Sequence, residues 1–190
     1  MRGLLRHERP RSKELVRIGT LNVGDAVEGR KAKEIGEGVK LFYKGNYGKR
    51  NGVGIAVSEA LKDSVSTVRR INDRIITVRV DMKDGYWTII SVYAPQTGCS
   101  EEEKEEFYMT LDGVIRSVPE GDFLTVAGDL NGHVGTDRRG LEMMHGGRGI
   151  GCKNEDGEQI TDLAVAHAAH PQPTTWLSAA HSSQRGKARR

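Results

Sequence analysis

The sequence is poor in the features that would fix its class at once. Cys99 and Cys152 are its only cysteines in 190 residues. Two are too few for a disulfide framework, so a reducing, intracellular compartment is expected. No run approaches the ~18 consecutive apolar residues of a membrane-spanning helix, so no membrane partner is expected. The start, MRGLLRHERPRSKEL, has charge without the apolar core of a secretory signal. Aromatic residues are scarce at 5%, which limits the core. The composition still excludes full disorder, because 36% of the residues are hydrophobic, and the length suits one domain. Glycine is abundant at 24 residues, so many turns are expected.

Charge is unevenly placed. The net charge is +3, but residues 1–17 hold six Lys/Arg against two Glu, and residues 170–190 hold four Lys/Arg and no acid. The body between them is net −5. An acidic body with basic tails does not bind nucleic acid by bulk charge alone. It suits a cation, and a cation suits phosphate. The basic arm, residues 1–15, reads as a solvated flexible tail, with a nuclear-import or nucleic-acid patch as its functional alternative.

Along the body, VRIGTLNV (16–23) reads as a strand. VKLFY (39–43) and VGIAV (53–57) flank a Gly- and Asn-rich turn. Two further hairpins follow, Val65–Ile71 with Arg74–Val80, then Tyr86–Tyr93. Ser100 with Glu103 forms a capping box for a helix whose Phe107, Leu111, Val114, Ile115 and Val118 share one face. Phe123–Ala127 reads as a buried strand, and Gly128–Gly151 as loop. A second helix is expected from Asn154 to about Ala169, with Ile160, Leu163 and Ala164 facing inward.

Three stretches place polar side chains where strands leave the sheet, which is where sites on layered α/β proteins sit. They are Thr20-Leu21-Asn22, Ser91-Val92-Tyr93-Ala94-Pro95, and Gly128-Asp129-Leu130-Asn131-Gly132-His133. A carboxylate can orient and deprotonate water, while an amide and a phenol hold phosphate oxygens. Taken singly each has a plainer reading. Asn22 reads as a strand-end amide bonding backbone, Tyr93 as a half-buried strand residue, and Asp129-Leu-Asn131 as a turn. Their order along one chain favours phosphodiester hydrolysis at an oxygen-lined Mg²⁺ site.

The text IGTLNV, KAKEIGEGVKLFY, NGVGIAVSEALKDSV, RINDRIITVRV, SVYAPQTGCSEEEKEEFY, GDLNGHVG and NEDGEQITDLAVAH resembles the endonuclease/exonuclease/phosphatase superfamily. Within it, the text is similar to the endonuclease domain of non-LTR retrotransposons and a host relative of that domain. The resemblance covers about residues 16–169. It implies a DNase I-like four-layer α/β sandwich with mostly antiparallel sheets, incomplete here, and Mg²⁺-dependent cleavage of DNA, with Mn²⁺ as a substitute metal. Residue by residue, it gives Asn22 the place near metal and phosphate, and Tyr93 the contact to the scissile phosphate. Asp129 takes the place that aligns or deprotonates water and meets the metal, and Asn131 its phosphate-orienting partner. Asn154 opens the Asn-x-x-Gly segment and is expected on the substrate side. Asp162, in the following helix, is expected to be structural.

The sequence also departs from that pattern. The family's principal metal ligand is a Glu in a Gln-Glu-Thr-Lys motif; an ungapped reading back from Lys31 puts Gly24 there. Glu28 and Glu34 lie nearby in sequence but not in the matching position. Thr175-Trp176-Leu177-Ser178 resembles a family stretch that continues to a late Asp and a His, and these have no counterpart before Arg190. Residues 170–190 are therefore expected to form a degenerate, disordered tail, and impaired or absent activity is expected. A zinc site from His145, Cys152, His167 and His170 fits no strong spacing.

Overall fold

A computed structural model of the protein describes residues 17–22, 32–45, 52–136, 152–168 and 174–178. The chain builds strands β1 (Ile18–Asn22), β2 (Ala32–Glu34), β3 (Lys40–Gly45) and β4 (Gly52–Val57), then a short helix α1 (Glu59–Lys62). Strands β5 (Val65–Asn72), β6 (Ile75–Met82) and β7 (Gly85–Tyr93) precede helix α2 (Glu101–Arg116). Strand β8 (Phe123–Asp129), helix α3 (Glu155–Ala166) and strand β9 (Thr174–Ser178) follow. One sheet has the order β1-β4-β3-β2, the other β5-β6-β7-β8-β9. All pairings are antiparallel except β7–β8 and β8–β9. This is an α/β architecture of two mostly antiparallel sheets, compatible with a DNase I-like fold.

The period-2 pattern explains the layering. In β6, Ile76, Val78 and Val80 point to the first sheet, where they meet Phe42, Val53, Ile55 and Val57. Ile75 points to the other face, which β7 and β8 extend with Ile90, Val92, Leu124 and Val126. Two buried faces make β8 apolar almost throughout, as its sequence FLTVA foretold. Helices α2 and α3 cover the outer face of the second sheet with Phe107, Leu111, Val114, Ile115, Ile160 and Ala164. Each fully buried aliphatic side chain contributes about 1.5–3 kcal/mol.

Helix α2 begins at Ser100, whose Oγ accepts the Glu103 N–H while the Glu103 carboxylate accepts the Ser100 N–H. Lys104 links the two helices, 3.1 Å from Asp156. At the far end of the second sheet, buried Asp122 takes a two-pronged ion pair from Arg79, at 2.7 and 2.8 Å, and the Thr88 hydroxyl at 2.7 Å.

Two expectations need correction. The tail set at 170–190 is cut into by β9, which pairs with β8 from Leu124↔Thr174 to Gly128↔Ser178. Trp176 explains this, since its ring is buried with Val126 and Leu124. Residues 179–190 and the arm 1–15 lie outside the described residues. The helix expected to reach about Ala169 ends at Ala166, with Asn154 as its N-cap.

Candidate active site

Three strands end together. β4 leads through α1 to Ser64, whose carbonyl accepts the Asp81 N–H, so Val57 lies at the Met82 end of the second sheet. β1 is antiparallel to β4 and therefore runs the opposite way, alongside β7 and β8, which it contacts. Ser91 Oγ donates to the Gly54 carbonyl at 3.2 Å, and Gly54 is the register partner of Leu21. Asn22, the next residue, thus leaves the first sheet at the end where Tyr93 and Asp129 leave the second. Ile18 packs into the core between the sheets, and alternation puts Asn22 on that inner face, exposed at the strand end.

Tyr93 and Asp129 are register partners on the parallel strands β7 and β8. The Ala94 N–H donates to the Asp129 carbonyl at 2.8 Å. Asp129 is buried, at 6% exposure, and one carboxylate oxygen accepts the Asn131 N–H at 3.0 Å. The Asn131 side-chain amide donates to the Ala94 carbonyl at 2.7 Å, so Asn131 ties the two strand exits together. It does so from a left-handed backbone, φ 50°, a conformation Asn tolerates better than most residues. Gln96 donates to the Tyr93 hydroxyl at 3.1 Å.

Gly128 is what lets Asp129 stand here. Its φ is +141°, and a Cβ would overlap the Val92 carbonyl oxygen. Only glycine allows β8 to lie this close to β7 directly before the carboxylate.

Asn154 contacts the loop that follows. Its Oδ1 accepts the His133 N–H and the Gly157 N–H, both at 2.9 Å, and its own N–H donates to the His133 carbonyl at 3.0 Å. It caps α3 and pins the chain leaving Asn131, both structural duties. Asp162 is an exposed residue of α3.

Sequence reasoning missed Arg74, which precedes β6. The Tyr93 N–H donates to its carbonyl at 2.9 Å, and its guanidinium lies 5.7 Å from the Tyr93 ring centre. Only the β6–β7 register reveals this neighbour, and no sequence motif signals it.

The donors at this strand end are hard oxygens, the Asp129 carboxylate and the Asn22 amide. They fit Mg²⁺ in kind, at the lower limit of the one or two carboxylates it takes beside water and phosphate. Among the described residues no group of three or more His, Cys, Asp or Glu could hold a metal. Glu34 does not fill the gap. It lies on β2, the opposite edge of the first sheet from β1, paired with Lys40, itself paired with Val57 at the far end. Gly24, Glu28, His145 and His170 lie outside the described residues. Among the described residues no helix is long and apolar enough to cross a membrane.

No family model matches the chain. Among curated proteins it is similar to craniofacial development protein 2 of Tragulus javanicus, with 30% identity over 149 residues that cover 73% of this chain and 26% of the relative. The protein of the same name from Bos taurus matches at 30% identity, with 25% of its length covered. The chain thus spans about a quarter of the length of the curated relatives it matches.

Proposed function

We propose that this chain carries the site of a metal-assisted DNA endonuclease of the endonuclease/exonuclease/phosphatase kind and of retroelement origin, with strongly impaired turnover. The reading rests chiefly on one observation: the register pairing of Tyr93 with the buried Asp129 at the strand end that Asn22 shares. The similarity to craniofacial development protein 2 supports it.

In this reading Asp129 orients a water molecule and takes its proton as the water oxygen attacks phosphorus. The bond to the leaving sugar oxygen then breaks, its electron pair stays on that oxygen, and the resulting alkoxide takes a proton from solvent water. The Tyr93 hydroxyl, steadied by Gln96, donates to a non-bridging phosphate oxygen. Asn131 holds the Asp129 carboxylate in place through its backbone N–H. Asp129 and Asn22 would hold Mg²⁺ or Mn²⁺, which supplies Lewis-acid polarisation of the phosphate when bound. Asn154 serves the substrate side indirectly, by fixing the loop after Asn131. DNA is the substrate that this reading assigns to the site.

The impairment follows from charge. Mg²⁺ dehydrates reluctantly and binds weakly, so one carboxylate fewer leaves it poorly held. The same shortage favours a second reading, a remnant with weak nucleic-acid or metal binding and no turnover.

Nicking of supercoiled plasmid separates the two. The chain as it stands is expected to give no measurable nicking with Mg²⁺ or Mn²⁺. Inserting the Gln-Glu-Thr-Lys segment between Val23 and Lys31 is expected to bring nicking that Asp129→Ala abolishes. A repaired, folded chain that stays silent, or nicks equally with Asp129→Ala, overturns the proposal.

A further inference from the structure

The geometry points to Arg74 as the residue that grips the substrate phosphate beside Tyr93. This deepens the endonuclease reading and rests on it.

Arg74 lies directly opposite Tyr93, which itself pairs with Asp129. The three residues form a row across adjacent strands. Two strand spacings put the cation and the carboxylate about 10 Å apart at their backbones, with the phenol between. Arg74 is held there firmly. Its N–H donates to Asn72 Oδ1 at 2.9 Å, and Nη1 donates to the Tyr93 carbonyl at 3.3 Å. Its guanidinium also faces the Tyr93 ring.

Its surroundings, as described, supply no carboxylate. Arg79 is paired with Asp122 and Lys104 with Asp156. Arg74 is half-buried, yet among the described residues no carboxylate lies within ion-pair distance of it. A guanidinium has five N–H donors in a planar fork, and one is used here. Leaving such a group partly desolvated without an anion is unfavourable, and a phosphate oxygen pair fits the fork bidentately. An anionic substrate approaching the buried Asp129 carboxylate also meets repulsion, which a cation in the same row offsets.

The competing role is purely structural, a clamp on the start of β6 through the Tyr93 carbonyl. Salt dependence separates the two, because a phosphate contact releases counter-ions and a clamp does not. The 190-residue chain is titrated against a short labelled DNA duplex by fluorescence anisotropy over a range of salt. The basic ends contribute a background slope, so the difference between variants is read. Arg74→Gln is expected to weaken binding about 3–10-fold and to make the log–log salt slope shallower by about 0.9. Arg74→Lys is expected to keep the slope, because the charge remains, and to lose about two- to fivefold in affinity without the fork. If the parent chain binds and Arg74→Gln matches it in affinity and slope, the role of Arg74 is overturned while the endonuclease reading stands. If the parent chain binds no DNA, both fall. Should Arg74→Gln lose its cooperative thermal transition, Arg74→Lys decides, and an unchanged affinity then overturns the role.

Discussion

Tyr93 and Asp129 face the same side of the second sheet as direct partners on parallel strands, locked by the Ala94 N–H on the Asp129 carbonyl at 2.8 Å. Parallel neighbours bring both strand ends out at one place, so a phenol and a carboxylate 36 residues apart stand side by side. Asn131 closes the arrangement by bonding Ala94 with its side chain and Asp129 with its backbone.

Gly128→Ala tests the close approach that sets this pairing. The new methyl would overlap the Val92 carbonyl at a backbone angle that alanine avoids. Strain and lost ladder bonds together are expected to cost roughly 3 kcal/mol or more. Urea denaturation checks this, and a cost below about 0.5 kcal/mol would show that β7 and β8 separate freely.

Asn154→Ala removes the α3 cap and the anchor of the loop after Asn131. A loss of about 1–2 kcal/mol is expected. Hydrogen exchange is expected to speed up at the His133 and Gly157 amides, the two donors to Asn154 Oδ1. Asn154→Asp keeps an acceptor at the cap and is expected to restore most of the protection. Unchanged exchange in Asn154→Ala would remove Asn154 from the support of the site.

Asp122→Ala leaves the Arg79 guanidinium and the Thr88 hydroxyl without their acceptor. Removing one partner of a buried ion pair is strongly destabilising. Arg79 retains partial contact with water, 31% of its side chain, which lowers the expected loss to about 2–3 kcal/mol. The measurement is the urea midpoint. Asp122 stands at the other end of β8 from Asp129, so DNA affinity is expected to be unchanged in the folded variant.

Acid tests the link between α2 and α3. The Arg116 guanidinium, and after it His167, hold the Asp112 carboxyl below its ordinary value of 3.8. The folded form therefore binds this proton less readily than the unfolded chain. Stability from this group is fully present above pH 3.8 and drains away as pH falls through the lowered value. Comparing parent and Asp112→Asn by thermal melting, the gap between them is expected to shrink below that pH. A gap that stays constant would mean that the two ion-pair contacts do not favour the carboxylate.

Local pattern made much of this fold legible. The hairpins, the capping box at Ser100 and Glu103, and the buried strand Phe123–Ala127 follow from periodicity and turn chemistry within a few residues. β9 is hidden because its two strongly apolar residues, Trp176 and Leu177, sit in Pro-, Ser- and Thr-rich text, and only pairing with β8 makes it a strand. The place of Glu34 and the neighbour of Tyr93 depended on register between strands distant in sequence. The motif at Asn154 does not reveal its bonds to the His133 and Gly157 amides, which depend on how the loop after Asn131 folds back onto α3. Tyr93 and Asp129 are legible as strand ends because each closes a strand whose apolar pattern is unmistakable.

Under the proposed function Asn22, Tyr93 and Asp129 form one cation-and-phosphate end, and among the described residues no group of three or more His, Cys, Asp or Glu gathers to hold a metal. Titration of the isotopically labelled chain with Mn²⁺, read as paramagnetic broadening of amide NMR signals, tests it most directly. The signals of Asn22, Tyr93, Ala94, Asp129 and Asn131 are expected to broaden together, only at high metal concentration, and not in Asp129→Asn. Broadening first at Glu101–Glu103 while these five stay sharp would contradict it.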